Sequence, residues 1–194
     1  SAVKAKDFSD LERMSRAFLA SYGVQFLTVA QTNGNVVFKL TVPTIPGENV
    51  LSEKIGADAL EGRPAATIDN GAEGFSIRAA SPVLDNRKII GAVLLGYVLD
   101  DDFARDFKKI SNLETSIFVD GRVVGSSFLK KGDTLNAPAI EKEVFAGELF
   151  VGSARFFNED VFGSFTPLRN NENQVVGILS ITTTPGELVS DAQA

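Results

Sequence analysis

Arg78 stands between Ile77 and Ala79 in an otherwise apolar run, and no other position in the chain constrains chemistry as much. A guanidinium carried into a sheet must meet a carboxylate, because burying an unpaired charge costs several kcal/mol. That partner is either on the protein, with Glu73, Asp69 and Asp85 near in sequence, or on a ligand. Lys39 lies near the end of a second apolar run, just before a loop. Its ammonium either blunts an exposed strand edge or reaches into a pocket beneath that loop. Together the two cations suit a small organic acid. Tyr97, near the end of a run with no other polar side chain, needs a hydrogen-bond partner for its phenol. With Phe38, Phe75 and the loop-opening Thr41 it completes the candidate ligand-binding set, although Tyr97 serves a core equally well and Phe38 and Phe75 read first as core residues and second as pocket wall.

The residue inventory removes much other chemistry. The 194 residues contain no His, no Cys and no Trp. Cysteine and histidine metal sites, thiol catalysis and Ser-His-Asp triads are thereby excluded. No catalytic residue, metal or cofactor is expected. Glu159-Asp160 and Asp100-Asp101-Asp102 lack metal-ligand spacing: neighbours on a strand point to opposite faces, and an Asp run is a natural helix start. A hydrolase reading fails for want of a nucleophile-base pair. Nineteen basic against 25 acidic residues leave a net charge of -6, so nucleic acid is not expected as a partner. The absence of cysteine fits an oxidising compartment. No run of about 18 apolar residues is present to span a bilayer, and the start, Ser1-Ala2 without Met, reads as a fragment.

These residues sit in a duplicated pattern. Asn33-Gly34-Asn35-Val36-Val37 recurs as Asp120-Gly121-Arg122-Val123-Val124, with the glycines 87 positions apart. Pro82-Val83-Leu84-Asp85 through Ile90-Gly91 recurs as Pro167-Leu168-Arg169-Asn170 through Val176-Gly177, with the glycines 86 apart. Each copy opens with a hairpin whose Asx-Gly turn supplies positive φ. The strands are 24–30 with 36–40 in the first copy, and 115–119 with 122–126 in the second. Each copy closes on a second hairpin, 75–83 with 88–99, and 161–168 with 174–183. The run from Ile89 to Leu99 does not alternate and must be covered on both faces.

Helices are expected to do the covering. Phe8, Leu11, Ser15, Phe18 and Tyr22 keep helical spacing, with Ser9 to Glu12 as a capping box unless the helix begins further upstream. Asp100-Asp101-Asp102 opens a second helix with a Phe103, Phe107, Ile110 stripe and a basic last turn. Between the hairpins lie irregular stretches, 41–70 with a short helix near 51–60, and 128–149 with a helix near 137–145. Arg155, Phe156, Phe157, Glu159 and Asp160 read as a hairpin turn with solvated carboxylates. The expected class is α+β, a long N-terminal helix plus two tandem modules with antiparallel sheets flanked by helices. The domains fall at 1–99 and 100–194.

An amphipathic helix followed by two such modules resembles a double Cache sensor region, in which each module is PAS-like. The segments Ile77 to Gly96 and Phe165 to Gly177 carry the likeness most clearly, and it extends over about 11–184. The resemblance implies an extracytoplasmic part of a bacterial chemoreceptor, sensor histidine kinase or cyclic-dinucleotide enzyme. It implies a membrane-anchored parent, a small-molecule ligand in the membrane-distal N-terminal module, and a homodimer formed through the N-terminal helix. Amino-acid-binding members carry a Tyr/Arg/Trp/Tyr/Asp constellation that this chain, with only Tyr22 and Tyr97 and no Trp, does not reproduce. A related subgroup has Arg and His where this chain has Lys39 and Thr41. An amino-acid ligand is therefore not expected, and the two cations point to a small organic acid, with an interaction module lacking any small ligand as the alternative.

Overall fold

A computed structural model of the chain describes residues 8–40, 47–156 and 159–183. It contains two five-stranded antiparallel sheets and four helices among those residues, and divides into two compact units at the step from Val98 to Leu99, with 68–70 grouped with the second.

The first unit begins with α1 (Phe8–Tyr22) and continues through β1 (Phe26–Gln31), β2 (Val36–Leu40), a 3-10 turn (Val50–Ser52), α2 (Lys54–Leu60), β3 (Ala65–Gly71), β4 (Gly74–Asp85) and β5 (Lys88–Val98). Its sheet order is β2-β1-β5-β4-β3. Ser9 lies inside α1 and so does not cap it. Only a 15-residue helix is seen there, and any earlier part of it falls outside the described residues. Period-two alternation sorts the strands onto two apolar faces. Leu27, Phe38 and Leu40 pack with Leu19 of α1 on one side. Ala30, Ala80, Ala92 and Leu94 pack with Val50, Ile55 and Ala59 on the other, beneath α2. β5 is thus covered on both faces, as its sequence requires.

The second unit holds α3 (Asp101–Ser111), β6 (Glu114–Val119), β7 (Arg122–Ser126), α4 (Pro138–Phe145), β8 (Phe150–Phe156), β9 (Glu159–Arg169) and β10 (Val175–Thr183). Its sheet order, β7-β6-β10-β9-β8, repeats that of the first unit strand for strand. Asp100 caps α3, accepting from the backbone N–H of Asp102 at 3.0 Å and of Phe103 at 3.1 Å. Asn112 ends it with φ 58°. Ile110 is 87% exposed, so the expected stripe reduces to half-buried Phe103 and Phe107 beside buried Ala104.

Both units have one strand more than the two hairpins predicted. β3 falls within the stretch expected to be irregular, and β8 follows the second such stretch. Ala65-Ala66-Thr67-Ile68-Asp69-Asn70-Gly71 is an edge strand with Ile68 as its one large apolar side chain, so its apolar pattern is weak. Arg155 and Asp160 are cross-strand partners of the β8–β9 hairpin, 3.5 Å apart and exposed.

Candidate ligand-binding cavity

Strand register brings the two expected cations onto one face of the first sheet. Thr28 pairs with Lys39 on β2 and with Leu94 on β5, and Leu94 pairs with Ala80 on β4. The row Lys39–Thr28–Leu94–Ala80 therefore crosses four strands. Two positions along, Phe26, Gly96 and Arg78 form the next row on the same face. Gly96 is obligatory there: a Cβ would stand 2.4 Å from the Phe26 ring and 2.3 Å from the Ile77 carbonyl oxygen.

Lys39, Thr28, Leu94, Phe26 and Arg78 of these rows floor a cavity of about 480 Å³, roofed by residues of the segment 47–53 and walled by Ala72 and Glu73 at the turn between β3 and β4. That volume is within the range of about 300–1,000 Å³ that small-molecule sites occupy.

The roof is tied to the first hairpin. The Glu48 carbonyl accepts from Val36 N–H at 3.0 Å, and the Gly34 carbonyl accepts from Val50 N–H at 2.9 Å. Asn49 donates its amide to the Asn33 carbonyl at 3.1 Å and to Asn35 Oδ1 at 3.0 Å, while its own Oδ1 accepts from Leu51 N–H at 2.8 Å. Gly34 turns the hairpin at φ 83°, and a side chain there would collide with Asn49 Oδ1 at 2.2 Å. The Asn-Gly signal thus specifies both the turn and the seat of the roof.

Each cation meets carboxylates. Lys39 Nζ lies 2.7 Å from Glu48 Oε1 and 3.1 Å from Glu73 Oε1, with its side chain only 2% exposed. Since β2 and β3 are opposite edges of the sheet, the bond to Glu73 links one edge to the turn at the other. Burial opposes the Lys39 charge, but hydrogen bonds and Coulombic attraction to Glu48 and Glu73 outweigh it and hold the pKa above the ordinary lysine value. Arg78, 5% exposed, donates from Nη1 to Glu53 Oε2 at 2.6 Å. Its guanidinium lies against Gly71, where a Cβ would come within 2.6 Å of Nη1. Two cations against three carboxylates leave the cavity one negative charge in excess. It is amphoteric rather than a purely cationic clamp.

The other expected residues stand elsewhere. Phe38, next to Lys39, faces the α1 side and packs with Leu19 and Leu27. Tyr97, next to Gly96, is half-buried and pairs with Ile77, while Phe75, three positions from Arg78, is buried. All three alternate out of phase with the cations and do not line the cavity. Thr41 lies outside the described residues. Glu48, Glu53, Asn49, Phe26 and Thr28 line the cavity without having been singled out. Parity along β1 and β2 was the signal available for Thr28 and Phe26; the roof glutamates come from a loop and had none.

The second unit has the same rows with different residues. The 86-residue spacing that carries Gly91 onto Gly177 carries Leu94 onto Ser180. Ser180 pairs with Ser116, which pairs with Ser126, and on the other side with Phe165. Ser126 and Phe165 therefore occupy the positions of Lys39 and Ala80, and Gly163, opposite Thr182, that of Arg78. Ser116 and Ser126 satisfy each other at 2.7 Å, and Phe165 fills a core with Phe118, Leu135 and Val144.

Two consecutive modules of one sheet-and-helix plan, the first with a charged cavity, define a tandem sensory domain. A family model for the double sensory domain of two-component sensor kinases matches residues 1–183, and the chain belongs to that double Cache family. Among solved structures, the sensory domain of the Campylobacter jejuni chemoreceptor Tlp3 is similar at 12% identity and a TM-score of 0.57, over 94% of this chain and 77% of that one. The same domain with isoleucine bound gives 12% and 0.54 over 94% and 76%. The sensor domain of the V. cholerae histidine kinase DctB gives 13% and 0.52 over 93% and 80%. At such identities the likeness establishes the fold. No curated protein matches the sequence.

Proposed function

We propose that this chain is the extracytoplasmic ligand-sensing part of a membrane-anchored signalling receptor, and that its ligand is a small molecule held in the cavity of the N-terminal, membrane-distal unit. The observation that carries the reading is a cavity of ligand size with Lys39 and Arg78 buried in its floor. Such cations are tolerable only opposite anions, and the excess carboxylate suits a partner bearing both signs. The ligand carries a carboxylate directed at Arg78 and an ammonium or hydroxyl directed at Glu48 and Glu73. A simple organic acid is the second reading, favoured by the two cations taken alone. The isoleucine in the Tlp3 sensory domain is one zwitterion of this kind, bound by a protein of the same fold.

Signalling requires that the ligand prefer one of two arrangements, since a ligand shifts an equilibrium only by its differential affinity. α1 is the element placed to report it, packing on β1 and β2 through Leu19 while Met14, Phe18 and Tyr22 form an exposed stripe at four-residue spacing. That stripe supports homodimerisation through α1 in the whole receptor.

Titration calorimetry and thermal shift against panels of amino acids and of mono- and dicarboxylic acids test the reading. A stabilising compound whose binding is lost in Arg78→Ala is the expected result. A broad panel without a single binder, with association that depends on protein concentration, would replace it by an interaction module with no small ligand.

A further inference from the structure

Arg78 and Glu53 differ in a way that assigns them different parts in binding. Arg78 is fixed: it projects from the interior of β4, is 5% exposed, and its guanidinium lies against Gly71, where a Cβ would come within 2.6 Å of Nη1. Glu53 is carried by the roof, at the joint between the 3-10 turn and α2, and its side chain is 29% exposed. Its backbone stands in the N-cap position of α2, yet its carboxylate makes no capping hydrogen bond. The carboxylate is spent on Arg78 Nη1, and withdrawing it leaves the helix start unchanged.

We propose that Glu53 is a tethered competitor of the ligand: in the empty cavity its carboxylate holds the edge of Arg78 that a ligand's carboxylate takes, and binding exchanges one for the other. The inference rests on reading this cavity as the ligand site. The electrostatics favour exchange over addition. A second carboxylate brought to Arg78 while Glu53 remained would raise the excess negative charge of a partly buried site, whereas swinging Glu53 towards solvent removes one charge as another arrives. Glu53 thereby determines specificity. Molecules without a carboxylate have nothing to offer Arg78 in return, and carboxylates are admitted only at the cost of displacing an internal one. The apparent affinity is the intrinsic one reduced by the fraction of molecules in which Glu53 stands away.

Acetate and its neutral counterpart acetamide are the probes, titrated into the wild-type chain, Glu53→Gln and Glu53→Asp while the Arg78 side-chain N–H signals are followed by NMR. Thermal melts of each variant confirm folding. Acetate is expected to act on Arg78 at about tenfold lower concentration in Glu53→Gln, the factor that corresponds to Glu53 standing away in about a tenth of wild-type molecules. Glu53→Asp, which keeps the charge but shortens its reach, falls between, and it carries the test alone if Glu53→Gln does not fold. Acetamide should act alike on all three. Acetate acting equally or more weakly on the variants, or on none of the proteins, overturns the exchange. A panel compound that binds the wild type while the variants show no gain for acetate leaves the sensing function standing and removes only Glu53's role. A gain for acetate with no panel compound binding the wild type does the reverse.

Discussion

The two sheets share one strand order and one register but put opposite materials in the same rows. In the first, Lys39, Thr28, Leu94 and Ala80 cross four strands beneath a roof tied to the floor by ion pairs; in the second, the same row reads Ser126, Ser116, Ser180 and Phe165. The exchange of Ala80 for Phe165 matters for volume. The small Ala80 lets Val50, Ile55 and Ala59 close directly on the first sheet, while in the second a buried phenyl ring takes up the equivalent space together with Phe118. The exchange of Lys39 for Ser126 matters for charge. A buried ammonium must recruit Glu48 and Glu73, whereas two hydroxyls satisfy each other. A duplicated sheet thus supplies one half with a charged cavity and one half that is filled from within.

Several substitutions would break or sharpen that contrast. The largest effect on stability is expected in the filled half. Phe165→Ala should cost about 3–5 kcal/mol, as truncation of a fully buried aromatic does, read as a lower urea midpoint at unchanged slope. Ala80→Phe, which writes the second unit's residue into the first, should cost about 1–3 kcal/mol by overpacking against Ile55 and Ala59, read as a lower urea midpoint. If the midpoint does not move, the volume argument falls.

Arg78→Ala should weaken a carboxylate ligand by about 2 kcal/mol or more, a thirtyfold loss in calorimetric affinity, with little change for a neutral analogue. Lys39→Met tests the charge argument through pH. The folded-state pKa of Lys39 is raised, so its contribution is fully present below its unfolded value near 10.5 and is lost as pH rises through the folded one. Thermal melts from pH 8 to 11.5 should show this loss in the wild type and not in Lys39→Met. The smallest effect belongs to Arg155→Ala. Its pair with Asp160 is 3.5 Å long and exposed on both sides, so the melting temperature should not measurably change.

Local rules carried much of the architecture. Asn33-Gly34 and Asp120-Gly121 mark tight turns because both glycines sit at positive φ, and each turn lies between apolar runs that become β1, β2, β6 and β7. Asp100 announces α3 because a carboxylate accepts from the first free N–H groups of a helix. Arg78 was conspicuous for the same kind of reason, since a cation in a strand interior demands an anion whatever the fold. These features depend on neighbours within a few residues, and the chain's order suffices to reveal them.

Partners distant along the chain are another matter. Nothing near Arg78 in sequence names Glu53, 25 residues earlier, and nothing near Lys39 names Glu73, because both contacts arise only when the sheet and the segment over it are assembled. β3 escaped notice because Ile68 is its one large apolar side chain, and β8 because Gly152-Ser153 interrupts its apolar run, whereas the edge strand β2 carries Val36, Val37, Phe38 and Leu40. Phe38, Phe75 and Tyr97 are aromatic types that could wall a pocket, but alternation along a pleated strand puts them on the face opposite Lys39 and Arg78. Residue types therefore settled that charge would be buried and compensated, while cross-strand register and the seating of the roof decided which carboxylates compensate it and where the space for a ligand opens.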